Sequence, residues 1–123
     1  MFDASKTSDV KVFGWSYLSS DIDMMKAAVA QQPISVSVDA HSINFYQYAS
    51  GIFNDYKCGT NVNHATLIVG YGVKQSTGNE YWIMKNSWST YWGEEGYMRV
   101  YITDGVSLGI CGIQSKPIYP ILP

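Results

Sequence analysis

The sequence predicts an α+β fold: an antiparallel β-sheet or barrel with one amphipathic helix. Three observations carry this reading. Only one segment, residues 21–31, repeats its apolar residues at helical spacing. Several later runs of four to eight residues read as strands, rich in Val, Ile, Tyr and Trp. Polar, Gly-containing stretches separate those runs, as in a meander of antiparallel strands.

The elements follow in order. Val10-Lys11-Val12-Phe13-Gly14-Trp15 alternates weakly and reads as a short strand. Ser20 precedes Asp21-Ile22-Asp23, an S-x-x-D capping pattern with acids in the first helical turn. Ile22, Met25 and Val29, with Met24 and Ala28, give the helix its apolar side. Pro33 closes it, and Gln32 is pushed out of the helical region by the proline that follows. Ile34-Ser35-Val36-Ser37-Val38-Asp39 alternates with period two and predicts a strand with one apolar face. Ile43 to Tyr48 reads as a helical turn or a loop, and Gly51-Ile52-Phe53 as a short apolar stretch. Residues 54–63 form a loop. Three strands are then expected: His64–Tyr71, Tyr81–Lys85 and Gly96–Ile102. Lys74 to Asn79 turns the first two into a hairpin, and Ser87 to Glu95 is an irregular loop.

The 123 residues have the length of one domain. Hydrophobic residues make up 46%, enough for a core, and charged residues only 15%. Ten Tyr and four Trp point to an apolar face intended for a partner, because large aromatics concentrate in interface cores. The net charge of -2 and the scattered Lys and Arg exclude a nucleic-acid footprint. No apolar run reaches membrane-spanning length. The first residues lack the basic and apolar regions of a signal peptide. No cofactor is implied. Two cysteines alone do not build a tetrahedral zinc site, and the two histidines are not spaced to complete one.

Two segments carry the chemistry: Asn63-His64-Ala65-Thr66-Leu67-Ile68-Val69-Gly70-Tyr71-Gly72 and Tyr81-Trp82-Ile83-Met84-Lys85-Asn86-Ser87-Trp88. His64 opens an apolar strand. It reads either as a buried, locally bonded imidazole or as a general base, since histidine titrates near neutrality. A histidine base needs its second ring nitrogen held in one tautomer. Asn86 ends the next strand, and in a hairpin the end of one strand lies near the start of the other. Asn86 is therefore either a turn residue or an orienting amide. Trp88 reads as core, or as a cover that keeps water from a His–Asn hydrogen bond. Neither Cys58 nor Cys111 opens a helix that would lower a thiol pKa, and both precede Gly. A disulfide between them is favoured over two free thiols. No serine sits in a G-x-S-x-G elbow.

Taken together, the ordered motifs resemble the C-terminal half of papain-like cysteine proteases. The match runs through Pro33-Ile34-Ser35-Val36, Tyr48-x-x-Gly51-Ile52-Phe53, Cys58, Asn63-His64-Ala65, Val69-Gly70-Tyr71-Gly72 and Tyr81 to Trp88. It continues through Trp92-Gly93-Glu94-Glu95-Gly96-Tyr97, Cys111-Gly112-Ile113 and Tyr119-Pro120. The resemblance implies one β-rich half-domain over residues 1–123, with the helical N-terminal half and the propeptide outside it. It implies that His64 is the catalytic base and Asn86 its orienting amide, and that Trp88 shields the pair. Trp88 and Trp92 would border the primed side, and Cys58–Cys111 matches a family disulfide. Ser37, Asn63 and Ala65 would form the wall of the S2 pocket, with Lys116 near its floor, disfavouring basic P2 residues.

The helix-borne nucleophilic Cys and the oxyanion Gln of that family lie in the other half. The expected whole enzyme cleaves peptide bonds, while this chain alone is expected to be inactive. Expected partners are peptide or protein substrates, and either the Cys-bearing half or a second copy covering the exposed cleft face. The alternative is a non-catalytic module on the same scaffold. A lysosomal, vacuolar or secreted location is implied by the family and by the disulfide. One departure stands out: Ser89 replaces the Gly that commonly follows Asn-Ser-Trp, which implies a different loop backbone there.

Overall fold

A computed structural model describes residues 14–18, 20–55, 57–103 and 108–121. The expected strand at Val10–Trp15 begins outside the described residues; within them, strand β1 covers Gly14–Tyr17. The helix α1 (Ile22–Val29) follows. Its N-cap is Asp21, not Ser20. The Asp21 carboxylate accepts from the backbone N–H of Asp23 (2.8 Å) and Met24 (3.2 Å), satisfying donors that have no partner within the helix. Met25, Ala28 and Val29 are buried, whereas Met24, which the helical spacing grouped with them, is exposed. The helix ends two residues earlier than expected, in a turn whose Gln31 and Gln32 N–H groups both reach the Ala28 carbonyl ahead of Pro33.

Strand β2 (Ile34–Val38) alternates buried and half-buried residues, as its period-two pattern requires. Residues Ile43–Tyr46 form a short helix, α2, capped by Ser42. Then come β3 (Ile52–Phe53), β4 (His64–Lys74), β5 (Asn79–Lys85), β6 (Tyr97–Tyr101) and β7 (Ile118–Ile121). A 3-10 turn at Ile110–Gly112 precedes β7. The sheet has the order β1-β7-β2-β4-β5-β6-β3, antiparallel except for the β3–β6 pair. The expected α+β architecture is what the chain adopts, extended by α2, β3 and β7.

The core lies between this sheet, α1 and α2. Trp82, Met84, Ile68, Met98, Ile34, Val36, Met25 and Phe45 are among its fully enclosed members. Cys58 and Cys111 are joined, closing a loop over a sequence separation of 53 residues. On the chain-entropy model a loop of that length contributes about 4 kcal/mol.

Strand β4 is not a regular ladder. Ile68 pairs with Met84 and Gly70 with Ile83, so Val69 is an extra residue, a β-bulge. The bulge reverses the alternation. Upstream of it, His64, Thr66 and Ile68 share the face of Met84. Downstream, Tyr71 pairs with Trp82 and meets its ring edge-on at 6.3 Å. One strand thereby supplies the first residue of the candidate site and an aromatic that sits under Lys26 of α1.

Candidate active site

His64 is the first residue of β4 and pairs with Val38, the last of β2. Asn86 directly follows β5, anchored by its own N–H to the Gly96 carbonyl at 3.0 Å. The β4–β5 hairpin brings the two side chains together: His64 Nε2 lies 2.7 Å from Asn86 Oδ1. The same Oδ1 accepts the Ser87 N–H at 2.8 Å. That second contact decides the chemistry of the first. A backbone N–H only donates, so the side-chain atom facing it is the amide oxygen. Nε2 therefore carries a hydrogen and donates it, and in the neutral ring Nδ1 presents its lone pair. Asn86 is only 4% exposed, so this bond is dry on the amide side and correspondingly strong.

Trp88 stacks on the His64 ring, with centroids 5.3 Å apart and planes 30° from parallel. Its edges meet Phe45 at 5.6 Å and Trp92 at 5.2 Å, and it leans on Tyr46 at 5.9 Å. Trp92 donates its indole N–H to the carbonyls of Phe45 and Tyr46, tying the 87–95 loop to α2. The turn that returns the chain to β6 needs Gly93. Its φ is +61°, and a Cβ there would lie 2.6 Å from the Tyr97 carbonyl oxygen. Ser89 imposes no such strain: the non-glycine residues with positive φ among those described are Glu95 and Cys111. Its hydroxyl instead accepts the Tyr91 N–H at 3.0 Å.

The residues expected to wall a substrate pocket are arranged across adjacent strands. Ser37 pairs directly with Ala65, and Asn63 donates its backbone N–H to Val38 at 2.9 Å. Ser35 pairs with Ile118, the first residue of β7, and Lys116 lies two residues ahead of that pair, outside the strand. A hollow of about 270 Å³ opens on this side of the sheet, lined by Ser35, Ala65, Leu67, Lys85 and Ser87 and bordered by Thr66 and Asn86. It takes in Ala65 but not Ser37, Asn63 or Lys116. Leu67 is 41% exposed there, an apolar side chain only partly covered. A second hollow lies beyond Trp88, between Tyr46, Ser89, Tyr91 and Trp92.

Three features were not visible beforehand. His41 Nδ1 lies 2.9 Å from the buried Asp39 carboxylate. The Asp-x-His spacing was the available signal, but it is too common to be informative alone. The Asp39 carboxyl is held below its ordinary range, chiefly by the His41 backbone N–H and further by the His41 ring and the Asn61 N–H, against the opposing effect of burial. Gly59 makes room for it, since a Cβ would come within 2.4 Å of Asp39 Oδ2. The second feature is polar: Asn86 Nδ2 and Thr66 Oγ1 are buried without a hydrogen-bond partner. The third is an ion pair behind the Trp loop. Arg99 grips Glu94 through two 2.8 Å bonds, which lowers the Glu94 carboxyl, while burial pushes the adjoining Tyr48 phenol up to about 12.

Residues 3–121 match the model of the papain family of cysteine proteases. The chain belongs to the papain family. Among its relatives, fruit bromelain of Ananas comosus is 45% identical over 112 residues, 90% of this chain and 31% of that protein. Vignain of Phaseolus vulgaris is 43% identical over 122 residues, 97% of this chain and 33% of the relative. A solved structure of the bromelain protease from Ananas comosus in complex with the E64 inhibitor superposes with a TM-score of 0.85 at 43% identity. That match covers 95% of this chain and 54% of the bromelain chain. A Carica candamarcensis cysteine protease in complex with E-64 gives a TM-score of 0.80 at 36% identity, over 94% of this chain and 52% of the other. The papain-family chain described here thus spans about a third of the length of these curated relatives and about half of the solved chains. Among the described residues, no helix is long and apolar enough to cross a membrane.

Proposed function

We propose that this chain is the half of a papain-type cysteine endopeptidase that carries His64 and Asn86. The 2.7 Å bond from His64 Nε2 to an amide oxygen whose identity the Ser87 N–H fixes is the observation that supports it. That bond leaves Nδ1 as the basic nitrogen, free to face a thiol from the other half. Nδ1 takes the thiol proton, and the thiolate attacks the scissile carbonyl. The imidazolium then returns the proton from Nδ1 to the departing amine, leaving a thioester. Water deprotonated at Nδ1 hydrolyses the thioester and regenerates the thiol. Asn86 keeps the ring oriented through the cycle, and the Trp88 stack excludes water from the bond.

Both cysteines of this chain are held in the disulfide, so the nucleophile comes from outside it. The open face of Ser35, Ala65, Leu67, Lys85 and Ser87 is where the Cys-bearing half docks, because an exposed apolar side chain beside the site favours association. Ser37, Asn63, Ala65 and Lys116 contact the substrate side chain in S2, and Trp88 and Trp92 the primed side. The disulfide supports a vacuolar, lysosomal or secreted setting.

The test is complementation. The purified chain alone shows no peptidase activity. Co-folded with the Cys-bearing half of a family member, it gives activity that a thiol-directed epoxide abolishes and that His64→Ala removes. Epoxide-sensitive peptidase activity from the 123-residue chain alone would sink the proposal.

A further inference from the structure

The second histidine lies on the rim of the same site, and its surroundings fix what each of its atoms does. His41 is anchored by the Asp39 carboxylate, which accepts both its backbone N–H (3.0 Å) and its ring Nδ1–H (2.9 Å). The carboxylate is 7% exposed and the ring 65%, so one partner is fixed and the other faces outward. The Asn63 side chain reaches the ring from the loop that leads into His64. Its Oδ1 accepts the Ala40 N–H at 3.0 Å, which forces Nδ2 towards His41.

Nδ2 is 3.1 Å from both ring nitrogens. The two in-plane ring-nitrogen directions diverge, so an atom equidistant from both is aligned with neither. In the ring plane that atom would collide with Cε1. The amide NH₂ therefore lies over the imidazole face and donates into its π cloud. A neutral ring accepts such a donor. An imidazolium, cationic and electron-poor, repels it.

We infer that His41 is a positioning residue that holds the Asn63 amide on the cleft rim while its ring is neutral and releases it when the ring is protonated. The charged group recorded against the His41 ring is Asp39, from the end of β2. The facing loop 59–63 is uncharged throughout, and the adjoining α2 brings only the Tyr46 phenol as a titratable group. Asp39 is held ionised well into acid, so protonation strengthens the anchor of the ring at the moment it expels the amide. Asn63 directly precedes His64, so release loosens the rim beside the base without disturbing the His64–Asn86 bond. The consequence for substrate rests on the protease reading, whereas the contact itself does not.

Two measurements separate them. The first uses the chain alone. Its side-chain amide protons are followed by heteronuclear NMR from pH 8 to pH 4.5, with Asn63 assigned by Asn63→Asp. The Asn63 NH₂ signals are expected upfield at high pH, under the ring current, and move to ordinary positions with the midpoint of the His41 Cε1 proton. His41→Phe, which keeps a ring face without a titrating group, holds them upfield at every pH, and His41→Asn places them at ordinary positions throughout. Signals that stay flat through the His41 titration, or that follow the His64 midpoint instead, overturn the inference. The second uses the reconstituted enzyme. KM rises about 2–10-fold on acidification through the His41 midpoint, the value of one lost neutral hydrogen bond, and kcat does not step there. His41→Phe removes the KM step. A step in kcat, or a KM step that survives His41→Phe, refutes the positioning role even where the NMR contact titrates. A complex with no activity sinks the protease reading and leaves the NMR result standing.

Discussion

Replacing both cysteines, Cys58→Ala with Cys111→Ala, removes one constraint whose size the topology sets. The disulfide closes a loop over 53 residues. Chain entropy for such a loop amounts to about 4 kcal/mol at room temperature, acting on the unfolded state. A domain of this size has about 5–15 kcal/mol of stability in total, so the loss takes a large share of it. With a urea slope of about 1–3 kcal/mol per molar, the midpoint falls by about 1–4 M. Urea titrations followed by tryptophan fluorescence and by far-UV circular dichroism, on the oxidised chain and the double variant, measure it. The loss has a local address as well. The Cys111 carbonyl accepts the Asp39 N–H at 2.8 Å, and Val38 accepts the Asn63 N–H, so the crosslink braces the two loops that meet at His41 and Asn63. A midpoint that moves by less than about 0.5 M at unchanged slope would refute the reasoning, because the unfolded chain would then have been confined by something other than the crosslink.

Gly93→Ala is expected to cost on the order of 1–3 kcal/mol or more, since it combines a left-handed φ with a backbone clash against Tyr97; thermal denaturation reads it, and the Trp92 fluorescence environment should change with it. Stability should also fall on acidification. Asp39 and Glu94 have folded pKa values below their unfolded ones, so their contribution is fully present above about pH 5 and is lost as pH drops through the unfolded and then the lowered values. Arg99→Met removes the dominant cause of the Glu94 shift, and urea titrations between pH 6 and pH 2 should then show a shallower acid limb. In the reconstituted enzyme Asn86→Ala should lower kcat more than it raises KM, because it frees the ring tautomer without touching the substrate; equal changes in both would place Asn86 in binding instead.

The legible parts of the fold are those governed by local rules. The period-two run of β2, the helical spacing of α1 and the polar turn before Asn79 each impose one geometry on their own residues. Asn86 was placed beside His64 by hairpin logic alone, and the 2.7 Å contact bears out that proximity. What stayed hidden depends on partners distant in the chain. The bulge at Val69 has no signature in His64–Tyr71, because Val is at home in any strand; it is set by pairing Ile68 with Met84 and Tyr71 with Trp82 on one face of β5. Strand β7 contains Pro120, which discourages a strand reading. The His41–Asp39–Asn63 cluster joins three loop positions that only the fold makes neighbours. The Asp21 cap was missed by one residue, the usual margin when Ser and Asp compete for the same position.

The bulge also explains how one hairpin serves both stability and chemistry. Were β4 regular from end to end, a register that buried Ile68 beside Met84 would turn Tyr71 away from Trp82 and from Lys26 of α1. A register chosen for Tyr71 would instead turn His64 and Thr66 to the face now held by Ala65 and Leu67, away from Asn86. Inserting Val69 lets both ends satisfy their own neighbours. The His64 ring is therefore aimed by backbone geometry fixed several residues away, in the packed middle of the sheet. This separates the His64–Asn86 pair from the exposed outer face of the sheet. His64, Thr66 and Asn86 are oriented from the core side, whereas Ala65, Leu67, Lys85 and Ser87 alternate to the outside. The orientation of the His64 ring and its tautomer are thus set from within the hairpin, by the bulge and by the Asn86 oxygen, independently of whatever covers the outer face.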